Sequence, residues 1–476
     1  MTNARHTFGV CIRCLGHLSI TDIAIVHPLS SKRFTWIAAG ITLLALALRW
    51  YFVTVTVVIH PIRGDAIQYF ACAWNLAHLG VFSTSAPHAA VVVPDSFRDP
   101  GFPALLAVWL KLFGDHGQGW YTGILLTQAL LGALTVLLVM LVGRRWLSLP
   151  WLAAAGVLAA LWPHNIAMTA DLLTETLFGF LCALALWLLT VALEKRSRAW
   201  MAAAGLALGC ASLTNAMLTP FFLLLMLVFF WLAKPLRRLL LVLLISAALL
   251  PGLWQVRGLT LASHDSAQRR ALINLVQGSW PAYHEDWRIL IVHDNPHGAV
   301  LLKPIDASQT QMLASPAAGF KAMFARFATQ PWCYVVWYVW HKPVALWGWN
   351  IRMGQGDIYE YPVVNSPFMT NPIWRLVAAL CYALNRWIAV AALAGVVLLL
   401  WRRTTTHDAA AFAAKAAGWA TALLLLYATL IYAIFQAEPR YAIPFRGFEM
   451  LAAITALAAL ARWVAARRSI SRSQQH

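Results

Sequence analysis

Charge is scarce in this sequence. Only 11% of its 476 residues are Asp, Glu, Lys or Arg, and acids are the scarcer kind, 18 against 36 bases. A soluble domain carries about a quarter charged residues. A chain that is 61% hydrophobic could not hide that much apolar surface from water in one fold, so the excess must face lipid or other buried helices. Cysteine is sparse too. The seven cysteines lie mostly inside apolar stretches (Cys72, Cys182, Cys210, Cys381), which excludes a disulfide framework. Cys11, Cys14 and His17 form half of a metal-site pattern, but no second ligand pair lies nearby, and an N-terminal segment without metal is the better reading. No G-x-x-x-x-G-K-[ST] loop occurs, which disfavours an ATP-driven pump. Residues 1–30 also lack the compact apolar core and small-residue cleavage site of a secretory signal peptide.

What is present is apolar helix and clustered base. A formal charge of +18 suits nucleic acid, but the bases do not gather on one face or run. They stand in short clusters between apolar segments: Lys32 and Arg33; Arg144 and Arg145; Lys195, Arg196 and Arg198; Lys234, Arg237 and Arg238; Arg402 and Arg403; Arg467, Arg468 and Arg472. A membrane-crossing helix needs about 20 mostly apolar residues. Segments 34–58, 119–142, 149–168, 172–193, 199–216, 217–233, 239–256, 374–401, 412–435 and 444–466 qualify, and the short pair 199–216 and 217–233 splits near Pro220 as a tight hairpin would. If these spans alternate, all six basic clusters fall on one side, which the positive-inside tendency makes cytoplasmic, with both termini. The expected fold is all-α: a polytopic transmembrane bundle of about ten spans with amphipathic helices on its outer face. The expected organisation is a cytoplasmic tail over 1–33, one membrane domain over 34–466 with outer loops at 59–118 and 257–373, and a cytoplasmic tail over 467–476.

Long loops without structure of their own are uncommon and usually functional, so the two outer loops hold the candidate residues. In the first, Gly64 precedes a helix expected from Asp65 to Leu79 and ended by Gly80, with Asp65, Gln68, Asn75 and His78 on a polar side and Ile67, Phe70, Ala71 and Trp74 on the other. Such a helix would lie in the interface plane. Asp65 with Gln68 three residues on has the pattern of a helix cap with a capping box; the alternative is catalysis by a carboxylate aimed into a cavity, with Tyr69 one turn further on the same face. Phe97-Arg98-Asp99-Pro100-Gly101 reads as a rigid turn with an exposed ion pair. Asp171 and Glu175 share a helix face. Asp171 suits the helix dipole, whereas Glu175 lies deeper, where an ionisable group is costly and usually functional. In the second loop, Pro331–Trp349 has the composition of an aromatic belt. His264, His284, His293, His297 and His341 show no convincing metal spacing. Lys342 and Arg440 are outer-face cations that break the basic pattern. A lipid-linked phosphate is a natural ligand for both, and headgroup snorkelling is the bland alternative.

Four motifs in order resemble those of a known family. They are Gly64-Asp65-Ala66-Ile67-Gln68-Tyr69 followed by Asn75-Leu76-Ala77-His78-Leu79-Gly80-Val81-Phe82; Arg98-Asp99-Pro100-Gly101-Phe102-Pro103; Thr174-Glu175-Thr176-Leu177-Phe178; and Glu438-Pro439-Arg440-Tyr441-Ala442-Ile443-Pro444. Together they resemble GT-C membrane glycosyltransferases, in the branch of the dolichyl-phosphate-mannose protein mannosyltransferases and the bacterial aminoarabinose and lipopolysaccharide-core transferases. The resemblance implies a transferase that moves a sugar, with inversion, from a polyprenyl-phosphate carrier to a lipid, glycan or protein acceptor on the periplasmic face of the inner membrane, with no nucleic-acid partner. It implies that Asp65 is the catalytic or acceptor-orienting acid. Arg440, with Lys342 and Tyr441 beside it, would hold the donor phosphate, and Tyr69, Arg98, Asp171 and Glu175 would support the site. No metal ligands are assigned; no cofactor is certain, and a divalent cation is left open. Thr214-Asn215-Ala216 departs from the family's Arg-Pro, and Gln277-Gly278-Ser279-Trp280 matches no known motif. The competing class is a transporter or flippase of a lipid-linked substrate, for which internal repeats and midplane charges are the expected marks; a non-catalytic assembly subunit is a third reading.

Overall fold

The computed structural model describes residues 31–232, 236–263, 265–401 and 409–473. The Cys11, Cys14 and His17 pattern, Lys234, His264, Arg402, Arg403 and the side chain of Arg472 lie outside what is described. Sixteen helices carry the architecture. They are α1 (Ser31–Val55), α2 (Asp65–Leu79), α3 (Gly101–Phe113), α4 (Gly119–Gly143), α5 (Leu149–Leu161), α6 (Glu175–Lys195), α7 (Arg198–Thr214), α8 (Thr219–Leu232), α9 (Arg237–Leu259), α10 (Ala267–Gly278), α11 (Tyr283–Ile291), α12 (His297–Ala314), α13 (Pro316–Thr329), α14 (Pro372–Trp401), α15 (Ala409–Ile434) and α16 (Arg446–Ser473), with shorter turns between them. The all-α expectation holds, and the chain is a multi-pass membrane protein.

Seven helices among the described residues are long and apolar enough to cross a membrane: α1, α4, α6, α9, α14, α15 and α16, the last with its leading turn from Pro439. The count rises to eight if α5 and the bent segment Pro163–Ala170 form one span. The other two expected spans are present as helices, but α7 is 17 residues long and α8 is 14, short of a full hydrocarbon crossing.

The bend after α5 has a local cause. Pro163 follows Trp162, whose backbone is extended, and the two segments meet at 54°. A proline has no N–H to offer the carbonyl four residues back. That carbonyl belongs to Ala159, and Arg49 of α1 supplies the missing donor: Nη2 donates to the Ala159 oxygen at 3.4 Å and Nη1 to the Ala160 oxygen at 3.1 Å. Arg49 is 1% exposed. Here an apolar segment buries a guanidinium because a broken helix beside it leaves carbonyls unpaired.

Between apolar helices in lipid, close approach through small residues supplies much of the packing. A methyl group placed on Gly395 of α14 would overlap the carbonyl oxygen of Ala452 in α16, and one on Gly205 of α7 would press on Leu243 and Ser246 of α9. These pairs pack backbone against backbone.

The two long segments 59–118 and 257–373 form a helical cap over one end of the bundle. α2 runs over the residues expected and ends at Gly80 in the left-handed conformation, φ 68°. Its faces differ from the expected division. Asn75 is buried, its side-chain amide donating to the carbonyls of Ser83 and Ser85 at 3.0 and 2.8 Å, while Ile67 is 54% exposed. The helix packs by its small and aromatic face on the bundle and uses Asn75 to tie down the loop that follows. A two-residue ribbon joins the loops, Val57 opposite Val364 and Val58 opposite Val363, antiparallel. Ser96 N donates to Asp265 O at 3.2 Å, and Arg257 donates to the carbonyls of Asp95 and Phe82 at 2.9 and 3.2 Å. The aromatic segment is a short helix, Pro331–Val336, continued by a wider turn at Trp337–His341 and by Lys342–Leu346. Trp332, Val339 and Trp340 stand exposed on it.

The ends of the bundle differ in charge. At one end Arg144 lies over the ring of Phe34, 4.3 Å from its centroid, and Arg145 pairs with Glu194, so three of the basic clusters meet there. Glu175 opens α6 at its opposite end, and Asp65 starts the helix that follows the opposite end of α1.

Gly395→Ala should force α14 from α16 and cost about 1–3 kcal/mol, the usual range for overpacking a close contact. Thermal unfolding of the purified protein in detergent would register this as a lowered midpoint, and an unchanged midpoint would show that the two helices have room to part.

Candidate active site

Residues far apart in sequence converge at the capped end on the guanidinium of Arg440. Pro439 at the first position of a short turn sets the helical start there, and Glu438 before it is extended. Arg440 Nε donates to Glu175 Oε1 at 2.6 Å, Nη1 to Glu360 Oε1 at 2.9 Å and Nη2 to Asp65 Oδ2 at 2.9 Å. Asp65 turns its other oxygen to Arg98 Nη2 at 2.7 Å, and Arg98 Nε donates to Gln68 Oε1 at 2.5 Å. Arg98 lies over the ring of Tyr69, 4.9 Å from the centroid, a cation–π contact. Nearby Asp99 accepts from Arg270 Nη2 at 2.7 Å and from the backbone N–H of Ala216 at 3.1 Å.

The capping box expected of Asp65 and Gln68 does not form. The cap position is Gly64, φ 55°, with no side-chain bond across it, and both polar side chains turn instead to Arg98. Two guanidiniums outbid the backbone N–H groups because charged partners bind a carboxylate more strongly than neutral donors do.

A cavity of about 640 Å3 opens beside the cluster. Its walls carry the acids Asp65, Glu175 and Glu360, the arginines Arg63, Arg98 and Arg270, and the amides of Asn215, Asn274, Gln277 and Gln436. Tyr432 and Tyr441 stack at 5.1 Å and 11° on one side, and Tyr441 donates to Gln436 Oε1 at 3.1 Å. Of the three acids Asp65 is the most open to the cavity. A third of its side chain is exposed, against 5% for Glu175 and 7% for Glu360.

The carboxyls split in character. Burial would raise the Asp65 pKa, but Arg98 and Arg440 outweigh it and hold the group well below the usual carboxylate range. Burial pushes Glu360 up, with the charges of Glu175 and Asp65 adding to it against Arg440. Burial likewise raises Asp171 well above its ordinary value, with Glu360 adding to the effect. Glu438 rises to about 8, through burial and then Glu360, although its Oε1 accepts from the N–H groups of Arg352 and Met353. Such a spread of carboxyl behaviour around one cavity is a mark of functional sites.

Of the residues singled out in the sequence, Asp65, Tyr69, Arg98, Glu175, Arg440 and Tyr441 line this cavity together. Asp171 stands behind it, its backbone carbonyl bound by Gln128 at 2.9 Å. Lys342 is 1% exposed and donates to the carbonyls of Ala433 and Phe435 at 2.7 and 2.8 Å. Its ammonium caps the end of α15 behind Phe435, which does line the cavity. Burial brings its pKa down to about 7. Glu360 was not singled out, nor was Tyr361. The Asp357-Ile358-Tyr359-Glu360-Tyr361 stretch carried a signal only in its mixture of acid and tyrosine within an otherwise irregular loop. Among the described residues no group of three or more His, Cys, Asp or Glu lies in metal-holding geometry; the three acids meet on a guanidinium.

Arg440→Gln should cost about 3–5 kcal/mol, because it strands buried carboxylates without their cation. Glu360→Gln added to it should recover part of that loss. A double-mutant cycle of unfolding free energies reads the coupling; strictly additive effects would mean that the Arg440–Glu360 contact carries nothing.

Residues 94–254 match the family described as dolichyl-phosphate-mannose-protein mannosyltransferase. No curated protein sequence matches the chain. Among solved structures, the Archaeoglobus fulgidus oligosaccharyltransferase tethered with an acceptor peptide is similar with a TM-score of 0.51 at 14% identity, over 93% of this chain and 51% of that one. ArnT from Cupriavidus metallidurans bound to undecaprenyl phosphate is similar with a TM-score of 0.35 at 15% identity, over 91% and 79%. The chain spans about half the length of the archaeal oligosaccharyltransferases it resembles. The fold is similar to that of the archaeal oligosaccharyltransferase, and within it residues 94–254 match the dolichyl-phosphate-mannose-protein mannosyltransferase family.

Proposed function

We propose that the protein transfers a sugar from a polyprenyl-phosphate carrier to an acceptor hydroxyl or amide on the non-cytoplasmic face of the inner membrane, with inversion at the anomeric carbon. The observation that carries this reading is the exposed carboxylate of Asp65, fixed between Arg98 and Arg440 at the edge of a cavity. The matched family is described by a dolichyl-phosphate-linked mannose donor, and the order of the sequence motifs supports the same class of carrier. The wall of amides and stacked tyrosines offers the neutral donors, acceptors and ring faces that a sugar engages.

The step balances without a nucleotide. The acceptor oxygen forms a bond to the anomeric carbon while the bond from that carbon to the phosphate oxygen breaks, and the polyprenyl phosphate leaves with the electron pair. The acceptor proton passes to Asp65 and from there to solvent. A carboxylate held so far below its usual range is a weak base, so its first task is to orient the acceptor. It takes the proton late, when the attacking oxygen has become strongly acidic. Because Asp65 stays ionised over the working range, its own titration gives no acid limb to the pH–rate profile between about pH 5 and pH 8. The leaving phosphate gains one negative charge. Arg440 has N–H groups left to meet it, beyond those given to the three acids, and a guanidinium suits phosphate geometry.

Orientation follows from charge. The end that gathers Lys32, Arg33, Arg144, Arg145 and Lys195 faces the cytoplasm by the positive-inside tendency, which puts the cavity outside. Reporter fusions at Ser263, beside the cavity, and Ser197, beside the basic end, should report opposite sides; a cytoplasmic Ser263 would reverse the assignment.

Transfer itself is tested with purified protein in detergent and a radiolabelled polyprenyl-phosphate sugar. Asp65→Asn should cut turnover by about 100-fold or more and lower the unfolding midpoint only in part, since the amide oxygen can still accept from one guanidinium while the NH2, a donor, loses the other. Full turnover by this variant would remove the carboxylate from the chemistry. An unaltered protein that carries the lipid-linked sugar across liposomes yet never transfers it would replace the enzyme reading with the transporter.

A further inference from the structure

We infer that Arg63 is the residue that receives the donor's phosphate as it arrives from the membrane; the inference rests on the polyprenyl-phosphate reading above and names the contact that reading needs. The argument starts from a count of charge around the cavity. Four arginines line it: Arg63, Arg98, Arg270 and Arg440. Arg98 is paired with Asp65, Arg270 with Asp99, and Arg440 with Asp65, Glu175 and Glu360. Three carboxylates around one guanidinium more than balance its charge. Arg440 can offer directed N–H groups to a phosphate, but not an uncompensated positive field. Among the ion pairs of the described residues none involves Arg63, although Asp65 is only two residues away.

Arg63 is also held in place. Its guanidinium lies over the ring of Tyr361, 5.6 Å from the centroid, and the Tyr361 hydroxyl donates to the Arg63 carbonyl at 2.8 Å. The next residue, Gly64, has φ 55°, and a Cβ there would sit 3.3 Å from the Tyr361 hydroxyl. That close approach turns the chain so that Asp65 starts α2 toward Arg440 while Arg63 stays on the tyrosine. Tyr361 follows Glu360 directly, so the ring that carries the free cation and the acid that holds Arg440 move as one piece.

The surroundings of Arg63 say where the ligand comes from. Val57 and Val364, paired across the short ribbon, are 54% and 43% exposed, and Ile59, whose N–H donates to Pro362 O, is 38% exposed. Ile67, one turn into α2, is 54% exposed. A guanidinium without an ion pair that lines a cavity, with exposed apolar side chains on the ribbon before it and the helix after it, matches a ligand with an anionic head and a long hydrocarbon tail. The tail lies along the valine ribbon, and the phosphate meets Arg63 before it reaches the N–H groups of Arg440. A free phosphate would use the cation and ignore the ribbon.

The experiment measures binding of undecaprenyl phosphate to the purified full chain in detergent, beside undecaprenol and inorganic phosphate. Arg63→Met keeps an unbranched stem on Tyr361 and removes the charge, and Arg63→Lys keeps the charge without the fork. The lipid phosphate should bind the unaltered protein more tightly than either the neutral alcohol or inorganic phosphate. Arg63→Met should weaken it by about tenfold or more, as expected for loss of one charge-assisted contact; Arg63→Lys should fall between, and thermal midpoints should stay close to that of the parent. Equal binding of lipid phosphate by the parent and by Arg63→Met would overturn the assignment of Arg63 alone and leave the donor class standing. Equal binding of inorganic and lipid phosphate would overturn the role of the ribbon. A parent protein that binds no lipid phosphate would overturn both this inference and the donor reading. Should Arg63→Met fail to fold, Arg63→Lys with parental affinity and an unchanged salt dependence would equally refute the fork contact proposed here.

Discussion

One guanidinium sets the geometry of the capped end of this protein. Arg440 reaches Glu175, Glu360 and Asp65 across separations of 265, 80 and 375 residues. Each carboxylate arrives on a different element: the start of a span, an irregular loop and a helix that lies across the end of the bundle. A buried arginine surrounded in this way is seldom a source of net stability, since desolvation takes back most of what the contacts give. Its effect is to fix relative position. The loop carrying Glu360, the helix led by Asp65 and the span opened by Glu175 cannot shift independently while the guanidinium holds all three.

That constraint explains why Asp65 differs from its neighbours. Glu175 and Glu360 are sealed beneath Arg440, whereas Asp65 is divided between Arg440 and Arg98, with part of its surface turned to the cavity. The arginines keep it ionised and limit its strength as a base. The more buried acids behind it, Asp171 and Glu360, hold protons more readily. Orientation and proton affinity are therefore assigned to different groups, a division that active sites with several carboxyls commonly show.

Much of the scaffold was legible from pattern. The helix from Asp65 to Gly80 follows from a glycine on either side of an uninterrupted helical stretch, and the apolar spans follow from length and hydropathy. The meeting of Asp65, Arg98, Glu175 and Arg440 was approachable because each belongs to a short motif near the capped end of the bundle. Glu360 was not approachable in that way. It lies in an irregular stretch where no periodicity marks which side chain turns inward. Lys342 shows the opposite difficulty: a lone cation in an aromatic segment reads as a ligand contact, while here it answers the unpaired carbonyls at the end of a helix, a need visible only in three dimensions. The amphipathic reading of α2 put Ile67 inward and Asn75 outward because it had no knowledge of the loop that Asn75 must hold.

The pairing of Arg49 with the carbonyls freed by Pro163 has a consequence in time. Arg49 belongs to α1, which is made before α5, and the atoms that satisfy it lie more than a hundred residues later. A guanidinium at the centre of a lone apolar helix opposes membrane entry by about 2.5–3.5 kcal/mol, and Arg49, in the second half of α1, meets part of that opposition. Until the α5 region has been made, that opposition is relieved only by the helix's own carbonyl at Ala45. α1 is thus a reluctant entrant whose final depth depends on a partner not yet synthesised, and its insertion is a joint act with α5 rather than an independent event.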